Sequence, residues 1–167
     1  LTTSENRDYI PLDFIKKNNI ANNTASIISN ATLYHFGIIS SSMHMAWVKY
    51  VCGRLKSDFR YSNELVYNNY PWPNNITIKQ KSSIEKAAKK VLEIRKLYKD
   101  NSLAELYDPL SMPPKLVKAH HNLDKAVDLS YRSTPFINDT KRIEFLFELY
   151  SDYVLGLFAS EKNKKKT

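Results

Sequence analysis

From Thr77 onward the chain carries a helical signal that leaves little choice of fold: apolar residues recur every three or four positions, and each series is opened by a capping pattern or a proline. Thr77-x-x-Gln80 and Ser82-x-x-Glu85 are overlapping capping boxes, followed by Ile84, Ala87, Val91, Ile94 and Tyr98 at helical spacing. Ser102-x-x-Glu105 opens a short helix that stops at Asp108-Pro109. Pro113-Pro114 leads into another, with Leu116, His120, Leu123 and Val127 on its inner face. Asp139 caps a last helix that turns Ile143, Leu146, Phe147, Tyr150, Val154 and Leu157 inward. Three long helices with short links predict a small antiparallel bundle.

The first part of the chain reads differently. Tyr9 to Ile15 alternates as a short strand whose Pro11 confines it to an edge, 16–24 is turn-rich, and Ala25–Ile28 is a second strand candidate. Ala31 to Ile39 predicts a short helix ending near Gly37. Ser40, Ser41 and Ser42 offer an N-cap for a helix running to about Lys56, with Met43, Ala46, Trp47, Tyr50, Val51 and Arg54 at helical spacing. Then Arg54, Lys56, Asp58 and Arg60 alternate, and on one extended segment they point to the same side. Asn68–Pro73 (NNYPWP) is a stiff aromatic-proline turn in which Trp72 plugs a crevice between two parts of the chain. The expected fold is mainly α: a small antiparallel helical bundle preceded by a truncated α/β piece with a few short strands. The expected division is 1–73, 74–160 and a disordered Lys-rich tail, 161–167. The first residue is Leu, and the strands are too few to close a sheet, so the chain is expected to be a piece of a longer protein.

Composition narrows the function. The net charge is +8, which favours a polyanionic partner, nucleic acid first. The single cysteine, Cys52, cannot form an internal disulfide, which points to a reducing, cytoplasmic compartment. No apolar run is long enough to span a membrane. With three glycines there is no G-x-G-x-x-G or G-x-x-x-x-G-K phosphate cradle. His35, His44, His120 and His121 have no metal spacing with Cys52. Asp124/Asp128 and Glu144/Glu148 are i,i+4 carboxylate pairs of the kind that face solvent on amphipathic helices. These residues contain no catalytic constellation, no cofactor site and no metal site.

The stretch SSSMHMAWVKYVCGRLKSDFRYSNELVYNNYPWP (Ser40–Pro73) resembles the end of the target-recognition domain of MmeI-like DNA methyltransferases, single-chain type IIG/IIL restriction–modification enzymes of bacteria. RDYIPLDFI and ATLYHFGII upstream, and LAELYDPLSMPPKLVKAHHNLDKAVD and RIEFLFELY downstream, are similar to the same family, so the resemblance covers Arg7 to about Tyr150. It implies a parent enzyme that transfers a methyl group from S-adenosylmethionine to the exocyclic amine of adenine. The methyl-donor, Asn-Pro-Pro-Tyr and nuclease motifs of that family lie upstream and are absent here, and NNYPWP is no substitute for the catalytic motif. The implied partners are double-stranded DNA and the upstream methyltransferase domain of the same chain, with no membrane. DNA recognition then falls on Gly53–Tyr61. Lys56 can donate to guanine O6 or N7 and Asp58 can accept from cytosine N4, so this pair is expected to read bases. Lys49, Arg54 and Arg60 are expected on phosphates, as are Ser41, Ser42 and His44 at a helix start. The competing expectation is a helical structural or protein-contact module with no DNA affinity of its own.

Overall fold

The computed structural model describes residues 2–15, 18, 21 and 25–164. The predicted turn-rich loop 16–24 and the last three tail residues therefore fall largely or wholly outside the described residues. The fold is mainly helical. Its helices are α1 (Leu33–Ile39), α2 (Ser42–Val51), α3 (Ile78–Arg95), α4 (Leu103–Leu106), α5 (Pro114–Tyr131) and α6 (Asp139–Lys164), with one π-helical turn at Asn63–Tyr67. Among the described residues no helix is long and apolar enough to cross a membrane.

The helix starts follow the local chemistry. The Thr77 hydroxyl accepts the Gln80 amide at 3.2 Å while the Gln80 side chain accepts the Thr77 amide at 2.9 Å, closing the first capping box. Ser82, the head of the second box, lies inside α3. Ser102 and Glu105 close the box that opens α4. At α6 the cap is Asn138 rather than Asp139, its side-chain oxygen accepting the Lys141 amide at 3.0 Å. The helix α6 runs on through Glu161–Lys164, residues expected to be a disordered tail.

Of the three long helices expected to form a bundle, α3 and α5 pack side by side, and the helical assembly is completed by helices from the first part of the chain, with α6 set along α2. Helices α3 and α5 are antiparallel, with Gln80 near the start of one donating to the Leu129 carbonyl near the end of the other at 2.8 Å. Helix α1 packs on both. Gly37, expected to end α1, lies within it at the point of closest approach, where a Cβ would stand 2.6 Å from Ile84 Cγ2 and 3.3 Å from Leu123 Cδ1. Helix α6 packs along α2, where the Trp47 ring meets Phe147 and Tyr150 at centroid distances of 5.5 and 5.8 Å. One hydrophobic core thus runs across residue 75, from Ile38, Met43 and Trp47 to Ile84, Leu116, Leu123 and Leu146. Trp72 is half-buried against Tyr34, His35, Tyr67 and Tyr70 at the seam.

The strands are short, as expected, but lie elsewhere. Tyr9–Ile15 and Ala25–Ile28 are irregular. The first is held by side chains instead: Tyr9 and Ile10 are buried, and the Tyr9 hydroxyl donates to Asp124 Oδ2 at 2.8 Å. The sheet is β1 (Thr2–Thr3), β2 (Gly53–Leu55) and β3 (Asp58–Arg60), antiparallel in the order β1-β3-β2. Helix α2 therefore stops at Val51 rather than near Lys56, because Cys52 turns extended (ψ 138°) and the chain enters the sheet.

Candidate nucleic-acid interface

The segment expected to be one extended ribbon is a β-hairpin. Strands β2 and β3 pair Gly53 with Arg60, Arg54 with Phe59 and Leu55 with Asp58, leaving Lys56 and Ser57 as a two-residue loop. Side chains directly opposite one another share a face. Arg54 therefore lies with Phe59, its guanidinium carbon 4.7 Å from the ring centroid and its Nη1 2.6 Å from Glu5 Oε2. Asp58 and Arg60 project from the other face. The expectation that Arg54, Lys56, Asp58 and Arg60 share one surface is corrected on this point: the reversal at Lys56–Ser57 separates Arg54 from Asp58 and Arg60.

Alternation along the second strand anchors the hairpin. Phe59 and Tyr61 are buried while Asp58 and Arg60 are exposed. The Tyr61 hydroxyl lies 2.9 Å from His44 Nε2, tying the end of the hairpin to α2. The loop itself is fully presented: Leu55, Lys56, Ser57 and Asp58 are all exposed, Leu55 to 54%. Lys56 holds a φ of 57°, the left-handed region, at the first loop position, where tight hairpins favour glycine. A lysine there is strained on the order of 1 kcal/mol. Sequence reasoning missed Leu55. Its only signal is an apolar residue beside a turn, and its exposure depends on the hairpin register.

The remaining candidates fare differently. Ser41 is buried: its hydroxyl donates to the Ile38 carbonyl at 2.7 Å and accepts the His44 amide at 3.4 Å as the cap of α2. His44 is buried, and desolvation holds its pKa down to about 3, so the ring is neutral. Neither can meet a phosphate, and both expectations are corrected: the helix start faces the core rather than solvent. Ser42 is half-buried and its amide donates to Asp124 Oδ1 at 2.8 Å, which takes up the group expected to bind phosphate. Lys49 is engaged with Asp139 at 2.9 Å.

The expected solvent-facing carboxylates Asp124 and Asp128 are also buried, 6% and 7% exposed. Burial raises the Asp124 pKa against the lowering effect of Ser42 and Tyr9. Asp128 receives both Nε and Nη2 of Arg142, at 3.1 and 2.8 Å. His120 mirrors His44, buried with Nε2 2.8 Å from the Tyr107 hydroxyl and its pKa held down to about 3 by desolvation. Among the described residues no group of three or more His, Cys, Asp or Glu is placed to hold a metal ion.

Residues 1–74 match the MmeI target recognition domain and residues 76–158 match the MmeI C-terminal domain. The chain belongs to the MmeI family. It is 43% identical over 150 residues to DNA methyltransferase A of Bacillus subtilis (strain 168), which covers 90% of this chain and 17% of that protein. Its fold superposes with a TM-score of 0.86 and 46% identity on the type IIL restriction–modification enzyme MmeI in complex with DNA, covering 90% of this chain and 20% of the MmeI chain. The chain thus spans about a fifth of the length of these relatives, and the part it matches is their target recognition and C-terminal domains.

Proposed function

We propose that these two domains serve DNA target recognition in an S-adenosylmethionine-dependent, adenine-specific DNA methyltransferase of the restriction–modification type. The observation that carries the reading is the hairpin, set in a fold that superposes on MmeI in complex with DNA. A loop held out by buried Phe59 and Tyr61, with a strained lysine at its tip, makes a probe of groove width. Lys56 donates to guanine and Asp58 accepts from the cytosine amine, while Leu55 offers an apolar contact to a thymine methyl group. Arg60, on the same face as Asp58, contacts phosphate and fixes register. Arg54 contacts phosphate at the hairpin's edge while Glu5 orients it.

The two domains do not methylate DNA by themselves. Asp124 and Asp128 hold partners within the fold, His44 and His120 are bonded through Nε2 alone, and the methyl-donor and catalytic motifs of the family are absent from these residues. Base extrusion and methyl transfer belong to the upstream domain of the whole enzyme, which this part supplies with a position on the duplex. C-terminal helices contribute by bracing: α6 supports α2, from which the hairpin departs.

The test is the methylation pattern of the enzyme carrying these domains, mapped genome-wide for the wild type and for the Lys56→Glu/Asp58→Arg exchange. A change confined to one base pair of the methylated motif supports base reading by this loop. An unchanged motif with reduced activity removes Lys56 and Asp58 from sequence readout.

A further inference from the structure

The positive charge of this chain is not concentrated on the hairpin. Helix α3 (Ile78–Arg95) carries six cations against two glutamates, a large share of the net +8. One of the six, Arg95, turns inward to the Leu12 carbonyl and Asp13. The others, Lys79, Lys81, Lys86, Lys89 and Lys90, are exposed, and Lys96 follows them just past the helix end. Among the described residues only Lys90 has a carboxylate within reach, Glu93 at 3.5 Å, and Lys81 lies over the Tyr34 ring at 5.7 Å.

Several of these lysines stand where the helix itself disfavours them. Its first turn contains Lys79 and no acidic residue, although the positive end of the dipole favours anions there. Lys86 and Lys90 are an i,i+4 pair of like charge, and Lys86 and Lys89 are an i,i+3 pair. A helix tuned only for its own stability carries more glutamates among these lysines than Glu85 and Glu93. An external polyanion would offset this excess of positive charge.

We propose that the lysine face of α3 is a sequence-independent grip on the phosphate backbone of duplex DNA, separate from the recognition hairpin. The inference rests on the reading of this chain as a DNA-recognition module and adds a surface to it. Lysine suits the task, being a flexible point charge that meets phosphates without demanding base geometry.

The test uses the whole chain and a random-sequence duplex, with affinity followed by fluorescence anisotropy across a salt series. The variant is Lys86→Glu/Lys90→Glu, two exposed positions where glutamate is a good helix former, with retained folding checked by thermal unfolding. A control with the same change in net charge, Lys115→Glu/Lys141→Glu, lies on α5 and α6. If the inference holds, the α3 variant loses affinity and the slope of log K on log salt falls by about 1.8, roughly 0.9 for each lost phosphate contact, while the control keeps the wild-type slope. Equal losses in variant and control reduce the effect to overall charge and overturn it. So does an unaltered slope in the α3 variant, or a wild-type chain with no affinity for DNA at low salt. A methylation motif that shifts with the hairpin exchange while α3 proves inert refutes this inference and leaves the recognition reading standing.

Discussion

Replacing Gly37 by alanine tests the account of how the two parts of the chain share one core. The added Cβ lies 2.6 Å from Ile84 Cγ2, 3.3 Å from Leu123 Cδ1 and 3.4 Å from Ala88 Cβ. Carbon atoms rest at about 3.5–4.0 Å, so roughly 1 Å of separation is missing on the Ile84 side. Ile84 cannot swing aside, because it is fully buried and its β-branched side chain has one strongly preferred rotamer in a helix. Helix α1 must then lift from α3 and α5, an overpacking cost of about 1–3 kcal/mol. Alanine also brings a helix-propensity gain of up to about 1 kcal/mol, which partly offsets it. Gly156 isolates that gain: it lies exposed in α6 with nothing within 4 Å of an added Cβ. Urea unfolding of the chain, followed by the fluorescence of Trp47 and Trp72, measures both variants. Gly37→Ala is expected to lower stability and Gly156→Ala to raise it slightly, the two differing by about 1–3 kcal/mol with m unchanged. Equal stabilisation by both substitutions refutes the close approach of α1 to α3.

Further outcomes follow from other parts of the structure. Lys56→Gly relieves the left-handed φ and is expected to raise stability by about 1 kcal/mol in urea while abolishing any guanine readout by that residue, so stability and specificity move in opposite directions. His44 and His120 are held neutral with pKa values near 3, below the unfolded value near 6.5. Their contribution is complete above pH 6.5 and is lost as pH falls toward 3, with a slope of up to about 1.4 kcal/mol per pH unit for each. Asp124, its pKa raised by burial, opposes this trend, and urea midpoints between pH 7 and pH 4.5 measure the balance. Arg142→Ala strands Asp128 and is expected to cost about 3–5 kcal/mol, because the pair is only 13% and 10% exposed. Lys49→Ala removes a half-exposed pair with Asp139 and is expected to cost no more than about 1 kcal/mol. It leaves DNA affinity unchanged if that pairing keeps Lys49 from phosphate, and a large loss of affinity restores Lys49 as a backbone contact.

The helical second half was legible in the sequence because its signals are local. Thr77 with Gln80, and Ser102 with Glu105, lie one turn apart and act within that turn, and an apolar stripe at helical spacing needs a partner face but not a particular one. The long motifs around Ser40–Pro73 likewise marked the family without any contact being known. What the sequence could not determine is which polar groups face inward. Ser41 and His44 at a helix start resemble a phosphate site, and Asp124 and Asp128 resemble a solvated pair. Ser41 is bonded within its own turn, but the other three are settled by groups on other elements: Tyr61 for His44, Tyr9 and Ser42 for Asp124, Arg142 for Asp128. The same holds for the hairpin. Alternating charges from Arg54 to Arg60 fit one strand or two equally well, and the register with Phe59, whose ring enters the core, selects two. Local free energies of about 1 kcal/mol define caps and turns, whereas burial of a charge or an aromatic ring involves several, so tertiary packing decides wherever the two compete.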